Sequence, residues 1–188
     1  MNIQNLRSVI IKKRKELSAE FLEKADIYVL NRVTGLKEYS DAVNLLIYIN
    51  YNGEMPTNSL IDKALQDGKR VFVPLCKEDF VLDFYEITSI DQLKSGHYGI
   101  LEPNENTSKI FNSDFLNNKT ICIVPGVVFD SDFNRIGYGK GYYDRFFERF
   151  NIPIRIGLAY DFQIVPHICA KPTDIKMTKL IIYNDGEY

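Results

Sequence analysis

The run "TICIVPGVVFDSDFNRIGYGKGYYDRFFERF", residues 120–150, decides the fold that the sequence predicts. Residues 120–125 form a continuous apolar run, which is typical of a strand covered on both faces. After Gly141, aromatic residues recur at helical spacing. The glycine-rich segment therefore connects a buried strand to a helix. In sheets of this kind, ligands bind beyond the carboxyl ends of the strands.

Other short apolar runs extend the predicted sheet. They are residues 42–49, 70–75, 80–87, 154–160 and 179–183. The run at 80–87 alternates in part, which favours an edge or antiparallel strand. A helix is predicted in "TNSLIDKALQDGK" (57–69), with Gly68 just past its end. Strands that alternate with helices predict an α/β protein, a three-layer α/β/α sandwich with a mainly parallel, mixed central sheet.

Two helices are predicted to open the chain. Apolar residues recur at helical spacing in the first helix, at Ile3, Leu6, Ile10 and Leu17. The basic run at 12–15 lies beside them, and its simplest interpretation is a solvated helix face. Ser18 is the predicted N-cap of the second helix, and Gly35 its end. The polar segment 88–118 is predicted to be a long loop or peripheral excursion.

Composition excludes several classes of protein. The chain has 188 residues, of which 45% are hydrophobic and 26% charged, with a net charge of −2. These values argue against disorder and against a bulk attraction to nucleic acid or anionic lipid. Its three cysteines are far apart and form no C-x-x-C pair, so neither a disulfide framework nor a zinc site is indicated. With no signal peptide or long apolar stretch, we expect a single cytoplasmic domain over residues 1–188.

The glycine-rich segment suggests a phosphate cradle. Three glycines within five residues, in the pattern G-x-G-x-G, let backbone N–H groups approach an anion at a helix N-terminus. Arg135 and Lys140 supply charge-assisted hydrogen bonds, and Asp144 supplies an oxygen ligand for Mg²⁺. The spacing matches neither the P-loop nor G-x-G-x-x-G. A turn that serves only close packing of strand and helix is the alternative.

The following helix has two different faces. Its aromatic residues Tyr143, Phe146, Phe147 and Phe150 share one face and are predicted to be core. Lys140, Asp144 and Glu148 recur every four residues on the other side, so Lys140 and Asp144 are expected to meet at the helix start.

Single residues elsewhere are weaker candidates. Glu54 follows the first strand and is either an acceptor for amino groups of a heterocycle or an ordinary loop carboxylate. His97 and His167 stand alone and are predicted to make local hydrogen bonds. Asp130 and Asp132 are predicted to form a turn.

The sequence resembles the 5-formyltetrahydrofolate cyclo-ligase family, also called methenyltetrahydrofolate synthetases. The resemblance depends on "PGVVFDSDFNRIGYGKGYYDRF" (125–146). Supporting it are "LRSVIIKKRKELS" (6–18), "NGEMPT" (52–57) and "VPHICAKPTDIKM" (165–177). The agreement spans nearly the whole chain.

The resemblance implies a ligase of folate and one-carbon metabolism that depends on ATP and Mg²⁺. Its reaction closes 5-formyltetrahydrofolate to 5,10-methenyltetrahydrofolate and releases ADP and phosphate, through phosphorylation of the formyl oxygen and attack by N10. The partner is then a small-molecule substrate, with no nucleic acid or membrane, and the protein a monomer or weak homodimer. The alternatives are an ATP-dependent ligase for a different substrate and a non-catalytic nucleotide-binding module.

The resemblance also assigns roles by position. It implies ATP contacts from Arg7, Arg135, Ile136, Gly137, Tyr138, Gly139, Lys140, Gly141, Tyr142 and Tyr143, of which Lys140, Arg135 and Tyr142 would be catalytic. It implies substrate contacts from Glu54, at the pterin end, and from Tyr138, Gly139, Lys140, Gly141 and Tyr142. Asp144 and Asp174 would bind Mg²⁺. Two positions differ from the family pattern: Ile3 replaces a common lysine, for which Lys12 or Lys13 is a substitute, and Thr178 replaces an acidic residue.

Overall fold

The computed structural model describes residues 3–96, 99–106, 108–171 and 173–186, and His97 lies outside them. Its α-helices are α1 (Ile3–Lys15), α2 (Ala19–Thr34), α3 (Lys37–Asp41), α4 (Asn58–Gln66) and α5 (Tyr142–Arg149). Its strands are β1 (Asn44–Ile47), β2 (Arg70–Cys76), β3 (Leu82–Ile87), β4 (Lys94–Ser95), β5 (Leu101–Glu102), β6 (Thr120–Val124), β7 (Val128–Asp130), β8 (Arg135–Ile136), β9 (Ile154–Tyr160), β10 (Ile164–Val165) and β11 (Lys179–Tyr183). Within this described part, no helix has both the length and the apolar character needed to cross a membrane.

The central sheet has six strands in the order β11-β9-β6-β1-β2-β3. Neighbouring strands are parallel except β2 and β3, which are antiparallel. The prediction of a mainly parallel, mixed sheet is therefore confirmed, as is the edge position of the run at 80–87. This strand begins at Leu82 because Asp79 and Phe80 have left-handed backbone angles, with φ of 57° and 58°.

Alternate residues of the buried strands face two different helical layers. Leu45 and Ile47 of β1 pack in one cluster with residues of α2 and α4. Leu46, between them, packs in a second cluster with Phe146 and Phe147 of α5. Because successive strand side chains point to opposite faces, this alternation produces the predicted three layers.

The predicted ends of α2 are confirmed. The Ser18 hydroxyl accepts a hydrogen bond from the Phe21 N–H at 3.1 Å, and the Gly35 N–H donates to the Asn31 carbonyl at 3.1 Å. Both bonds satisfy backbone groups that the helix itself leaves unpaired.

The segment 88–118 is more than the peripheral loop that the sequence predicts. It contains the hairpin of β4 and β5, and its end pairs with β3 through a bridge between Tyr85 and Ile110. Phe111, next along the chain, is 2% exposed and packs on Phe72 with ring centroids 5.2 Å apart. Phe111 thus joins a mostly polar segment to the core, together with Phe115, whose ring centroid lies 5.7 Å from that of Phe72.

A second sheet, in the order β10-β7-β8, lies beside the glycine-rich segment, which begins directly after β8. Asp130, predicted to form a turn, is fully buried at its end. Its carboxylate accepts hydrogen bonds from the N–H groups of Asp132, Asn134 and Ile168 and from the Asn134 side chain, at 2.8–3.0 Å. This carboxylate fixes the β7–β8 turn against residues 166–168.

We expect Phe111→Ala to lower the free energy of unfolding by about 3–5 kcal/mol, because it empties a buried aromatic position. Ile110→Ala, one residue away and 40% exposed, should change it by less than about 0.5 kcal/mol. Urea denaturation measures both values. Equal small losses would mean that the segment does not belong to the core.

Candidate active site

Three loops meet at one edge of the central sheet. They are residues 48–57 after β1, 125–141 after β6, which include the short strands β7 and β8, and 161–178 after β9, which include β10. Since β1, β6 and β9 are adjacent and parallel, their carboxyl ends lie side by side. Such an edge is where open α/β sheets bind ligands.

Arginine side chains occupy space that side chains at the glycines would fill. A Cβ at Gly137 would lie 2.7 Å from Nη1 of Arg135, and one at Gly139 would lie 3.4 Å from the guanidinium of Arg7. Arg7 also donates from Nε to the Gly137 carbonyl at 2.8 Å. The first helix therefore brings Arg7 to the segment where the sequence placed the phosphate cradle.

Arg145, which the sequence reasoning missed, completes this pattern. A Cβ at Gly141 would lie 2.8 Å from its Nη1. Its Nη2 donates to the Lys140 carbonyl at 2.5 Å, and its Nε donates to the Phe80 carbonyl at 3.1 Å. Gly139 and Gly141 have φ of 97° and 68°, a region that favours glycine. The sequence contained a signal for this contact, because Arg145 lies four residues, about one helical turn, after Gly141.

A cleft of about 370 Å³ opens beside this segment. It is lined by Gly139, Lys140, Gly141, Asp144, Arg145, Glu148, Lys171, Thr173 and Asp174. The two predicted metal ligands, Asp144 and Asp174, thus face the same space. Lys171 is a cation that the sequence reasoning did not select, and its N–H donates to Asp174 Oδ2 at 2.8 Å.

The structure differs from the expectation that Lys140 meets Asp144. Asp144 instead accepts hydrogen bonds from Arg135, whose Nη2 lies 3.3 Å from both carboxylate oxygens. The Lys140 ammonium lies over the Phe80 ring, 5.6 Å from its centroid. The reason is local: Lys140 precedes the left-handed N-cap Gly141, so helical spacing does not relate it to Asp144.

Some residues of the segment face the core. The Ile136 side chain is 7% exposed, and the Tyr143 ring packs on Phe84 with centroids 6.3 Å apart. The Tyr142 hydroxyl donates a hydrogen bond to the Lys77 carbonyl at 3.4 Å. Ile136 can therefore reach a ligand in the cleft only through its backbone, whereas Tyr143 is partly buried.

Glu54 lies buried in the loop after β1, with 7% of its surface exposed. Its Oε2 accepts from the Tyr51 N–H at 3.1 Å, and its Oε1 accepts from the Tyr138 hydroxyl at 3.1 Å. Nη2 of Arg14 lies 3.6 Å from Oε1. Burial raises the pKa of Glu54 above its ordinary value, and the Arg14 charge opposes that rise.

For Arg14 the prediction of a solvated helix face is wrong. Its side chain has no exposed surface, whereas Lys12 and Lys13 are exposed. Arg14 lies four residues after the buried Ile10 and three before the partly buried Leu17, so it shares their face. That spacing was visible in the sequence, but the charge run concealed it.

The Arg14 guanidinium contacts two of the loops at this edge of the sheet. Nη2 donates to the carbonyls of Tyr51 and Asn52 at 3.3 and 3.2 Å and to the Tyr138 hydroxyl at 2.6 Å. Nη1 lies 3.5 Å from the Gly126 carbonyl. One buried cation thus joins the loop after β1 to both ends of segment 125–141, at Gly126 and at Tyr138.

A second group of possible metal ligands lies apart from Asp144 and Asp174. Asp130, Asp132 and His167 bring one ligand atom each to within 4.8 Å of one another. The Asp130 carboxylate already accepts four hydrogen bonds from the protein, which accounts for this group as a turn anchor. Thr178, just before β11, forms hydrogen bonds with the Arg155 backbone and does not line the cleft.

Comparisons with known proteins agree on one family. A model of the 5-formyltetrahydrofolate cyclo-ligase family matches residues 2–183. A probable 5-formyltetrahydrofolate cyclo-ligase of Caenorhabditis elegans is 32% identical over 176 residues, covering 88% of this chain and 85% of that protein. The 5-formyltetrahydrofolate cyclo-ligase of Haemophilus influenzae is 29% identical over 183 residues, covering 95% and 96%.

A solved structure has the same fold. The NMR structure of Aquifex aeolicus 5,10-methenyltetrahydrofolate synthetase superposes with a TM-score of 0.81 at 29% sequence identity. The match covers 95% of this chain and 88% of that one.

The Asn52–Gly53 turn provides a test of the contact between the loop and α1. Gly53 has a φ of 72°, and a Cβ there would lie 2.3 Å from the Arg14 carbonyl oxygen. Gly68, with a φ of 73°, has no atom within 4 Å of its Cβ position and is the matched control.

We expect Gly68→Ala to lower the free energy of unfolding by about 1–2 kcal/mol through backbone strain. Gly53→Ala should cost about 1–3 kcal/mol more, because its methyl group overlaps α1. Urea denaturation of both variants gives the difference. Equal losses would contradict the close packing of this turn on Arg14.

Proposed function

The chain belongs to the 5-formyltetrahydrofolate cyclo-ligase family, and we propose that it closes 5-formyltetrahydrofolate to 5,10-methenyltetrahydrofolate with consumption of ATP. The family match over residues 2–183 carries this proposal. The arrangement of glycines and cations beside a cleft that also contains carboxylates supports it, because the reaction needs a site for phosphate groups and their metal ion.

We place the ATP phosphates along residues 135–143, with Arg7 reaching them from α1. Glycines without side chains permit close approach of backbone N–H groups, and the guanidinium groups of Arg135 and Arg145 add positive charge. Lys140 lines the cleft, and its ammonium on a long side chain is the cation that we assign to the transferred phosphoryl group. The alternative of a turn that serves only packing fits less well, because the space beside these glycines contains guanidinium groups.

We place Mg²⁺ between Asp144 and Asp174. Carboxylate oxygens are its preferred protein ligands, and both side chains line one cleft, so the residues present fit the ion. When bound, Mg²⁺ neutralises phosphate charge. The Arg135 side chain donates to the Asp144 carboxylate, and the backbone N–H of Lys171 donates to the Asp174 carboxylate. Both ligands are therefore oriented by the protein.

We place the pterin end of the folate at Glu54, with residues 138–142 on its other side. A buried carboxylate suits the amino and ring N–H groups of a pterin. The formyl oxygen then attacks the γ-phosphorus as the bond to ADP breaks. N10 next attacks the activated formyl carbon, loses its proton, and phosphate leaves with the formyl oxygen. Lys140, Arg135 and Tyr142 would act by positioning and charge neutralisation.

The remaining features are proposed from composition. One domain over residues 1–188 would act in the cytoplasm, because its three cysteines are free, as is usual in a reducing compartment. We propose a monomer or weak homodimer that binds no nucleic acid, in keeping with a net charge of −2.

The reaction is tested by the absorbance of the methenyl product when purified protein meets 5-formyltetrahydrofolate. We expect a rise that requires both ATP and Mg²⁺. ATP binding without any rise would support a different substrate if ATP is hydrolysed with another amide or carboxylate. It would support a non-catalytic module if ATP is never consumed.

We expect Lys140→Ala to lower kcat by about 10²–10³-fold while the protein stays folded, because a cation at the transferred group is lost. Lys119→Ala is the control, since Lys119 is exposed just before β6, at the opposite edge of the sheet. Steady-state kinetics and thermal unfolding measure the two effects. Near-normal turnover of Lys140→Ala would remove Lys140 from the catalytic residues.

A further inference from the structure

We propose that Arg14 is a positioning residue for the folate reaction, which keeps Glu54 ionised and oriented at the pterin end of the site. The inference rests on the proposed function. Arg14 itself has no exposed surface, so it does not reach a ligand and must act through other residues. Glu54 retains 8% exposure of its side chain, which leaves part of the carboxylate open to a ligand.

The hydrogen bonds form a directed chain. Arg14 donates to the Tyr138 hydroxyl at 2.6 Å, and that hydroxyl then donates to Glu54 Oε1 at 3.1 Å. The guanidinium cannot accept a hydrogen bond, so it fixes the direction in which the Tyr138 proton points. Glu54 is thereby held as an acceptor, the form that N–H groups of a pterin require.

Among the described residues, Arg14 is also the charged group that faces Glu54. The other groups around Glu54 are neutral: the Tyr138 hydroxyl, the Tyr51 N–H, the Tyr160 hydroxyl from β9, which donates to the Glu54 carbonyl at 3.3 Å, and Tyr48 at the end of β1. Burial favours the protonated form of Glu54, and the cation opposes it. Without the cation, Glu54 should hold its proton to higher pH.

The Arg14 guanidinium is placed so that its outer nitrogens contact the loops, while its Nε–H makes no hydrogen bond within the described residues. Its Nε is buried and has no hydrogen-bond partner in the described part of the chain. The outer nitrogens contact the Tyr51, Asn52 and Gly126 carbonyls from two different loops. The guanidinium therefore sets the distance between the loop that carries Glu54 and the segment that carries Tyr138.

The experiment compares Arg14→Gln and Arg14→Lys with Arg70→Gln. Arg70 is a matched control, because it forms a two-bond ion pair with Glu86 at 2.7 and 2.8 Å, between β2 and β3. In Arg14→Gln we expect the folate KM to rise about tenfold or more, with kcat within about threefold of the wild type. Arg14→Lys should recover part of the loss, and Arg70→Gln should leave KM unchanged.

The pH profile and a double-mutant cycle separate positioning from a structural role. In Arg14→Gln the acidic limb of 1/KM should move up by about one pH unit. In a Glu54→Gln background, adding Arg14→Gln should raise KM by a much smaller factor than it does in the wild type, because the side chain at position 54 is then already neutral. An unmoved limb, or KM effects that multiply, would overturn the proposal. If Arg14→Gln does not fold, the neutral variant Arg14→Met carries the same measurements.

A readout without turnover separates this inference from the proposed function. The Glu54 carboxyl carbon, labelled with ¹³C and assigned by its loss in Glu54→Gln, is titrated by NMR in the ligand-free protein. A higher pKa in Arg14→Gln than in wild type, with a smaller change in Arg14→Lys, supports control of Glu54 by Arg14, and an unchanged pKa in Arg14→Gln overturns it. Absence of methenyl product from wild type overturns the proposed function. The titration still decides whether Arg14 controls the pKa of Glu54.

Discussion

Parallel pairing of β1, β6 and β9 is the constraint on which the candidate site depends. In this pairing Leu46 lies beside Cys122, and Ile123 lies beside Ile156. These side chains are fully buried on one face or the other, so a slip of one residue would exchange the faces of a whole strand. The core therefore fixes the register, and the register fixes where the three loops leave the sheet. Glu54, after β1, can face Tyr138 only because these exits are adjacent.

Charged side chains are concentrated at the candidate site, although the net charge of the whole chain is small. The net charge is −2, yet five cations lie at or beside one short segment: Arg7, Arg135, Lys140, Arg145 and Lys171. Three carboxylates, those of Asp144, Glu148 and Asp174, line the same cleft. Mixed signs at close range suit a ligand that is itself an anion with a bound cation. A field of this kind acts locally and does not predict attraction to nucleic acid.

The sequence predicted the six strands of the central sheet, because continuous apolar runs have few other interpretations in a chain with helices between them, but it did not predict the short strands of the two smaller sheets. The position of β6 between β1 and β9 was not predictable, since strand order depends on contacts between distant residues. At the site, the glycine-rich segment was found through its composition, but side-chain partners were not. Asp144 pairs with Arg135, and Arg14 is buried inside a basic run, because the tertiary surroundings of a charge decide its partner.

The buried Arg14–Glu54 pair is hard to explain by stability alone. Removing two charges from water is costly, and well-packed apolar residues often replace such pairs with no loss. Three of the Arg14 contacts are backbone carbonyls, which lie in two loops at the carboxyl ends of strands. A cation that served only the core would not need its partners on surface loops. Its position is explained if the loops themselves must be held, with one carboxylate between them kept charged.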